Sequence, residues 1–209
     1  MTRAVFLDAL GTLVELEPPW VALRERIPDE VDDELLIAGL RDEMAYYREH
    51  AHEGRDEVSL ADLRERCAAI VSDRIGVPVS VEDLVDSIRF AVYPDVQPAL
   101  ADLRDRGLAL VAVSNWDCSL PRVLERCGID GQLDGTVTSA GAGARKPDPA
   151  IFAAALELAG CEPAEALHVG DTPEEDVAGA RAAGIRALLI DRSGGSGEIS
   201  SLEQIREHL

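Results

Sequence analysis

A small set of polar side chains stands where short apolar runs end, and together they could do chemistry on an anionic substrate. Asp8 follows Ala4-Val-Phe-Leu7, Ser114-Asn115 follows the run ending at Val113, and Gly170-Asp171 follows the run ending at Val169. Lys146 is the only lysine in the chain and precedes a helix-like pattern that opens at Pro149. Taken singly, an Asp or Ser at such a place commonly caps the next turn or helix. Taken jointly, two carboxylates, a hydroxyl and a lone lysine would converge on one crevice. Asp176 adds a further acid near the start of the segment that follows Asp171. Carboxylates held this close repel unless a cation lies between them, and a hard divalent ion, Mg²⁺, suits an all-oxygen donor set.

Strands that end at these residues must be neighbours for the convergence to occur. Residues 4–8, 108–114, 135–139, 166–171 and 186–191 are short, mostly apolar runs, as expected of strands buried on both faces. Helical patterns alternate with them over 97–106, 119–127, 149–159 and 174–183, each closed by a nearby glycine. Strand alternating with helix predicts an α/β fold, a doubly wound, Rossmann-like parallel sheet of five strands whose ligands bind at the strands' carboxyl ends. The segment 15–92 is too long for a single crossover and reads as helix after helix with no strand-like run. Leu35, Leu36, Leu40 and Met44 repeat at helical spacing, as do Leu60, Leu63, Cys67 and Ile70. The expectation is a core of residues 1–14 and 93–209 with a helical cap, 15–92, inserted into it. Ser193-Gly-Gly-Ser-Gly197 reads as a flexible loop before a last short helix over 202–208.

Composition narrows the partners. The chain of 209 residues carries 40 acidic and 20 basic side chains, a formal net charge of −20. Such a field repels polyanions, so nucleic acids and anionic membrane surfaces are disfavoured. No apolar run approaches the ~20 residues of a membrane span, and the expected location is the cytoplasm. The cysteines, Cys67, Cys118, Cys127 and Cys161, form no C-x-x-C pair and read as small apolar residues. The sequence leaves oligomeric state open.

Four stretches spanning the predicted core together resemble the haloacid dehalogenase (HAD) superfamily, whose members are mostly phosphatases. They are Asp8-Ala-Leu-Gly-Thr12-Leu13, Val113-Ser114-Asn115, Lys146-Pro-Asp-Pro-Ala-Ile-Phe152 and His168-Val-Gly-Asp171 running on through Asp176 to Ala180. The resemblance implies that Asp8 is the nucleophile, forming an aspartyl-phosphate. It implies Mg²⁺ held by Asp8, by the backbone carbonyl of Leu10 and by Asp171, with Asp176 and Glu175 supporting metal-bound water. Ser114 and Lys146 would bind and neutralise the transferring phosphoryl group, with Thr12 and Asn115 also contacting substrate, a small phosphorylated metabolite.

One position departs from the pattern. Most phosphatases of this superfamily carry a second Asp two residues after the nucleophile, as acid and then base; here that residue is Leu10. Such help is typically worth roughly 10²–10⁴ in rate. A substitute would come from the cap, where Tyr46-Tyr47-Arg48-Glu49-His50-Ala51-His52 gathers polar aromatics and histidines, or from Asp117. Arg48 is a candidate for a substrate carboxylate or second phosphate, and His50 for the acid. A capping role for Asp117 and a place for Trp116 at the seam between cap and core are the plainer expectations. Two further readings stay open: a phosphate-binding protein with weak or no turnover, and a haloacid dehalogenase, whose first motif is close to Asp8-Ala-Leu-Gly-Thr12. The acidic Gly170-Asp171 argues against the latter.

Overall fold

The computed structural model describes residues 1–209. In chain order the elements are β1 (Ala4–Leu7), β2 (Val14–Leu16), α1 (Pro19–Arg24), α2 (Asp33–His50), α3 (Glu57–Ile75), α4 (Val81–Ser87), β3 (Phe90–Val92), α5 (Val96–Asp105) and β4 (Ala109–Ser114). There follow α6 (Leu120–Arg126), β5 (Gly135–Thr138), α7 (Ser139–Ala142), α8 (Pro149–Ala159), β6 (Ala166–Gly170), α9 (Gly179–Ala182) and β7 (Arg186–Leu189). Five strands form one sheet in the order β5-β4-β1-β6-β7, with every pairing parallel. The chain winds from β1 through β4 to β5, then crosses to β6 and β7. The order therefore reverses between β1 and β6, and the crevice of a doubly wound sheet opens at that switch point.

Burial on both faces explains why the strands are apolar throughout. In β1, Val5 and Leu7 face a cluster of 22 buried residues, while Ala4 and Phe6 face a second cluster of 13 on the other side. The period-2 alternation splits one tetrapeptide between two cores. At the Asp8 end the polar residues begin.

The helices between β2 and β3 bury a third cluster that includes Leu23, Leu36, Leu40, Leu63, Cys67, Val71, Ile75 and Leu84. Sequence supplies their starts: Asp32 accepts from the amides of Glu34 (2.8 Å) and Leu35 (3.3 Å), and Asp56 with Ser59 forms a capping box ahead of α3. Leu35, in the first turn of α2, is exposed, contrary to the helical-face expectation, and stays outside the buried cluster that Leu36 and Leu40 join.

Three other expectations change. The segment 15–92 is not wholly helical: β2 and β3 pair antiparallel, Val14 with Val92 and Leu16 with Phe90, where the chain leaves and re-enters the sheet domain. Strands of three residues are too short for periodicity to reveal. The helix expected over 174–183 begins as a π-helical turn, Pro173–Ala178, before α9. There the Thr172 carbonyl accepts from the amides of both Asp176 (2.9 Å) and Val177 (3.4 Å). The last helix, Leu202–Glu207, is 3₁₀. No helix is long and apolar enough to cross a membrane.

Candidate active site

The carboxyl ends of β1, β4 and β6, the loop between α7 and α8, and the turn Pro173–Ala178 bring Asp8, Ser114, Asp171, Lys146 and Asp176 together. Parallel register sets this up: Leu7 pairs with Ala112 on one side and Val169 on the other, so the residues just beyond lie abreast. The Asp8 amide donates to the Val169 carbonyl (2.9 Å). Asp8 Oδ1 accepts from Ser114 Oγ (2.9 Å) and from Lys146 Nζ (2.6 Å). Lys146 also donates to Asp176 Oδ1 (2.5 Å). Carboxylate oxygens of Asp8, Asp171 and Asp176 lie within 4.8 Å of one another. Asp8, Lys146 and Asp176 are buried, whereas Asp171 is exposed at the mouth.

Two glycines permit this crowding. Gly11 has φ +83°, and a Cβ there would sit 2.1 Å from Asp171 Oδ2. A Cβ at Gly170 would fall 2.1 Å from Asp176 Cγ. Both positions let backbone approach a carboxylate closely.

The electrostatics follow from burial. Desolvation pushes Asp8 up to about 7, opposed by Lys146 and aided by the charges of Asp176 and Asp171. Asp171 is also raised, by desolvation and by Asp176. Burial works against Lys146 and Asp176 too, but their partners win: Asp8 and Asp176 hold the ammonium well above its usual range, and Lys146 and His168 hold Asp176 below its own. His168 is wholly buried, and desolvation lowers its pKa against the pull of Asp176. Facing an ionised carboxylate, its Nε2 carries the proton and donates to Asp176 Oδ1 (2.9 Å). A buried hydrogen-bond chain thus runs His168, Asp176, Lys146, Asp8, Ser114.

An all-oxygen, mutually repelling donor set of this kind fits a hard divalent cation. Asp8 Oδ2 engages no protein donor. Asp176 is the poorer ligand, because Lys146 and His168 take its Oδ1 and the Thr172 amide donates to its Oδ2 (3.0 Å). The Leu10 side chain packs against the larger core cluster and offers no acid.

Other expected site residues stand elsewhere. Thr12 has no exposed surface, and its hydroxyl is buried without a hydrogen-bond partner, so it presents nothing to a substrate. Asn115 is committed to holding the lysine loop: its Oδ1 accepts from the Lys146 amide (2.7 Å), and its Nδ2 donates to the Lys146 carbonyl (3.1 Å) and to Glu175 (2.9 Å). Glu175, expected near metal-bound water, is spent on Asn115 and on Arg145 (3.2 Å). Arg48 is exposed on α2 and makes neither an ion pair nor a hydrogen bond. His50 pairs with Glu53 (2.8 Å) and stacks on Tyr46 at the end of α2. Asp117 turns the chain into α6 by accepting from the Ser119 amide (2.6 Å), and its other oxygen takes the Tyr47 hydroxyl (2.9 Å). Trp116 is buried in the larger core cluster and packs on Phe90 of β3 with ring centroids 5.2 Å apart. His168 had received no role from the sequence; the signal was a lone histidine inside the buried run Ala166–Gly170.

Comparison with known proteins agrees with this architecture. A family model described as haloacid dehalogenase-like hydrolase matches residues 2–184. A phosphoserine phosphatase of Thermus thermophilus is 38% identical over 123 residues, 56% of this chain and 49% of that one. Haloacid dehalogenase-like hydrolase domain-containing protein 3 of Bos taurus is 40% identical over 109 residues, covering 52% of this chain and 43% of its own. The aligned part thus spans about half the length of these curated relatives. Among solved structures, a HAD phosphatase from Thermococcus onnurineus superposes with TM-score 0.71 at 25% identity, over 99% of this chain and 97% of that one. An L-2-haloacid dehalogenase from Xanthobacter autotrophicus shares the fold at TM-score 0.75 and 22% identity, over 99% and 98% of the two chains. With the family model spanning most of its length and the polar cluster at the switch point of its sheet, the chain belongs to the haloacid dehalogenase-like hydrolases.

Proposed function

We propose that the protein is a Mg²⁺-dependent phosphatase of a small phosphorylated metabolite, acting through an aspartyl-phosphate on Asp8. The observation that carries this is the buried Asp8 carboxylate, held through Oδ1 by Ser114 and Lys146 and crowded by Asp171. Residues 1–14 and 93–209 then serve as the catalytic core, and 15–92 as the cap over it.

With Oδ1 fixed, Asp8 Oδ2 attacks phosphorus, and the bond from phosphorus to the leaving oxygen breaks. Lys146 and the Ser114 hydroxyl are placed to offset charge on the phosphoryl oxygens. Asp176 and His168 keep the ammonium charged and aimed. The leaving oxygen takes its proton from water, because Leu10 offers none. Water then attacks the aspartyl-phosphate at phosphorus, which releases phosphate and restores the Asp8 carboxylate. Asp8, Asp171 and the Leu10 carbonyl would hold Mg²⁺, which supplies charge neutralisation of the phosphoryl group when bound. Two relatives are phosphatases by description, of phosphoserine and of glyceraldehyde 3-phosphate, and both descriptions support a phosphate monoester as substrate.

The test is phosphate release from a panel of phosphomonoesters with and without Mg²⁺, with Asp8→Asn as the blank. Release that needs Mg²⁺ and vanishes in the blank upholds the reading. Leu10 favours a second reading, a phosphate site that binds without efficient turnover. It predicts Mg²⁺ and phosphate binding with no release above the blank. Halide release from a 2-haloacid that survives metal chelation would instead show dehalogenation.

A further inference from the structure

We propose that Arg192, beyond the last strand and outside every motif above, is the positioning residue of the nucleophile loop. The inference rests on the reading of Asp8 as nucleophile. Arg192 and Asp95 are each 16% exposed in their side chains. Nη1 donates to both Asp95 oxygens, at 2.7 and 2.6 Å, and Nη2 donates to the backbone carbonyl of Thr12. The guanidinium carbon lies 4.2 Å from the centroid of the Tyr93 ring. Asp95 Oδ2 also accepts from Ser201 Oγ (2.8 Å) and from the Leu202 amide (2.7 Å). One half-buried carboxylate therefore anchors the C-terminal turn and aims the arginine at the loop that carries Asp8.

That loop needs an external hold. Three of its own bonds converge on one carbonyl, Ala9, which accepts from Thr12 (3.3 Å), Leu13 (2.8 Å) and Val14 (2.9 Å), and a fourth runs from the Gly11 amide to the Val14 carbonyl (2.8 Å); none of them holds the Thr12 carbonyl. Gly11 inside it sits in the left-handed region with its backbone against Asp171. The Thr12 hydroxyl is buried without a partner, so the side chain fixes nothing, and Arg192 grips the residue by its main chain. Tyr93, under the guanidinium, donates its amide to the Leu13 carbonyl (3.3 Å) just where β3 returns to the sheet. Arg192 thereby ties three separate parts of the chain: the nucleophile loop, the return from the cap and the C-terminal turn. A planar fork stacked on an aromatic ring is geometry that a lysine ammonium does not reproduce. Displacing a reacting group by about 1 Å costs on the order of 10²-fold in rate, so loss of the grip should fall on turnover rather than on substrate binding.

The test combines hydrogen exchange with kinetics on Arg192→Met, Arg192→Lys and Asp95→Asn. Asp95→Asn keeps acceptors for Ser201 and Leu202 while removing the charge that aims the guanidinium. Arg106→Met, which breaks an exposed pair with Asp102, is the control and keeps wild-type turnover. In Arg192→Met the amides of residues 9–14 should exchange at least about tenfold faster, with the cap helices unchanged. With p-nitrophenyl phosphate and Mg²⁺, kcat should fall about 10- to 100-fold and KM by no more than about threefold either way. Lysine should recover only part of that loss, and Asp95→Asn should fall between. If Arg192→Met fails to fold, Asp95→Asn and Arg192→Lys carry the same comparison. Unchanged exchange at 9–14, or unchanged kcat in a protein that Asp8→Asn inactivates, overturns the proposal. If Asp8→Asn itself retains turnover, the nucleophile reading falls instead, and exchange at 9–14 decides the loop-positioning claim by itself.

Discussion

Replacing Asp8 by Asn should stabilise the metal-free protein while abolishing its activity. Desolvation, together with the charges of Asp176 and Asp171, outweighs the pull of Lys146 and lifts Asp8 from 3.8 to about 7. The folded state therefore holds the Asp8 proton more tightly than the unfolded chain does. The associated penalty is absent below about pH 4, where both states are protonated, grows as pH rises through about 7, and is constant above. A rise of this size corresponds to at most about 4 kcal/mol at 1.36 kcal/mol per pKa unit. That figure is already net of the attraction to Lys146; Asn keeps an acceptor for Ser114 but places an amide where a carboxylate oxygen stood, so a net gain of about 1–3 kcal/mol at pH 8 is expected. For a chain of this length each 1 kcal/mol moves Tm by about 2–4 °C. The assay is denaturant unfolding of wild type and variant at pH 4, 6 and 8 in chelator, repeated with Mg²⁺. The advantage of the variant should vanish near pH 4. It should also shrink with Mg²⁺, since an ion at 100 times its Kd adds about 2.7 kcal/mol to whichever form binds it. A variant less stable than wild type at pH 8, or a difference independent of pH, would refute the claim that the site stores the cost of a buried carboxylate charge, raised further by its acidic neighbours, which a cation relieves.

Lys146→Met should lower stability by about 3–5 kcal/mol, read from denaturant midpoints, because it leaves Asp8 and Asp176 buried without their shared cation; turnover should be lost with it. Gly11→Ala places a Cβ against Asp171 and forces a positive φ, and isothermal titration should show Mg²⁺ affinity down at least about tenfold. Leu10→Asp should raise turnover of alkyl phosphates by about 10²–10⁴ and of p-nitrophenyl phosphate far less, because only the poor leaving group needs the proton. Equal gains on both would contradict the role assigned to that position.

The sheet was legible because strands buried on both faces are continuous apolar runs, and β1, β4, β5, β6 and β7 each begin and end within two residues of expectation. Asp8, Ser114 and Asp171 were legible because each is a polar residue at or just beyond the end of such a run, and Lys146 because it is the only lysine in the chain. What escaped was set by packing between distant segments. Asn115 looks like a substrate ligand beside Ser114, yet only the fold brings the Lys146 backbone within its reach. Nothing near Arg192 in sequence announces Thr12, 180 positions away. The π-helical turn at Pro173–Ala178, in which the Asp176 carboxylate accepts from the Thr172 amide, leaves no mark in the hydrophobic periodicity. Arg48 shows the converse: a suggestive neighbourhood of aromatics and histidines, turned by the helix toward solvent.

The most direct test of the account is to catch phosphate on Asp8. Wild-type protein mixed with p-nitrophenyl phosphate and Mg²⁺, quenched in acid and measured by mass spectrometry, should gain one phosphoryl group on the peptide that contains Asp8. The missing acid and base at Leu10 should let that species accumulate, and Asp8→Asn should show none of it. Phosphate release without any such gain, continuing undiminished in Asp8→Asn, would contradict a covalent mechanism at Asp8.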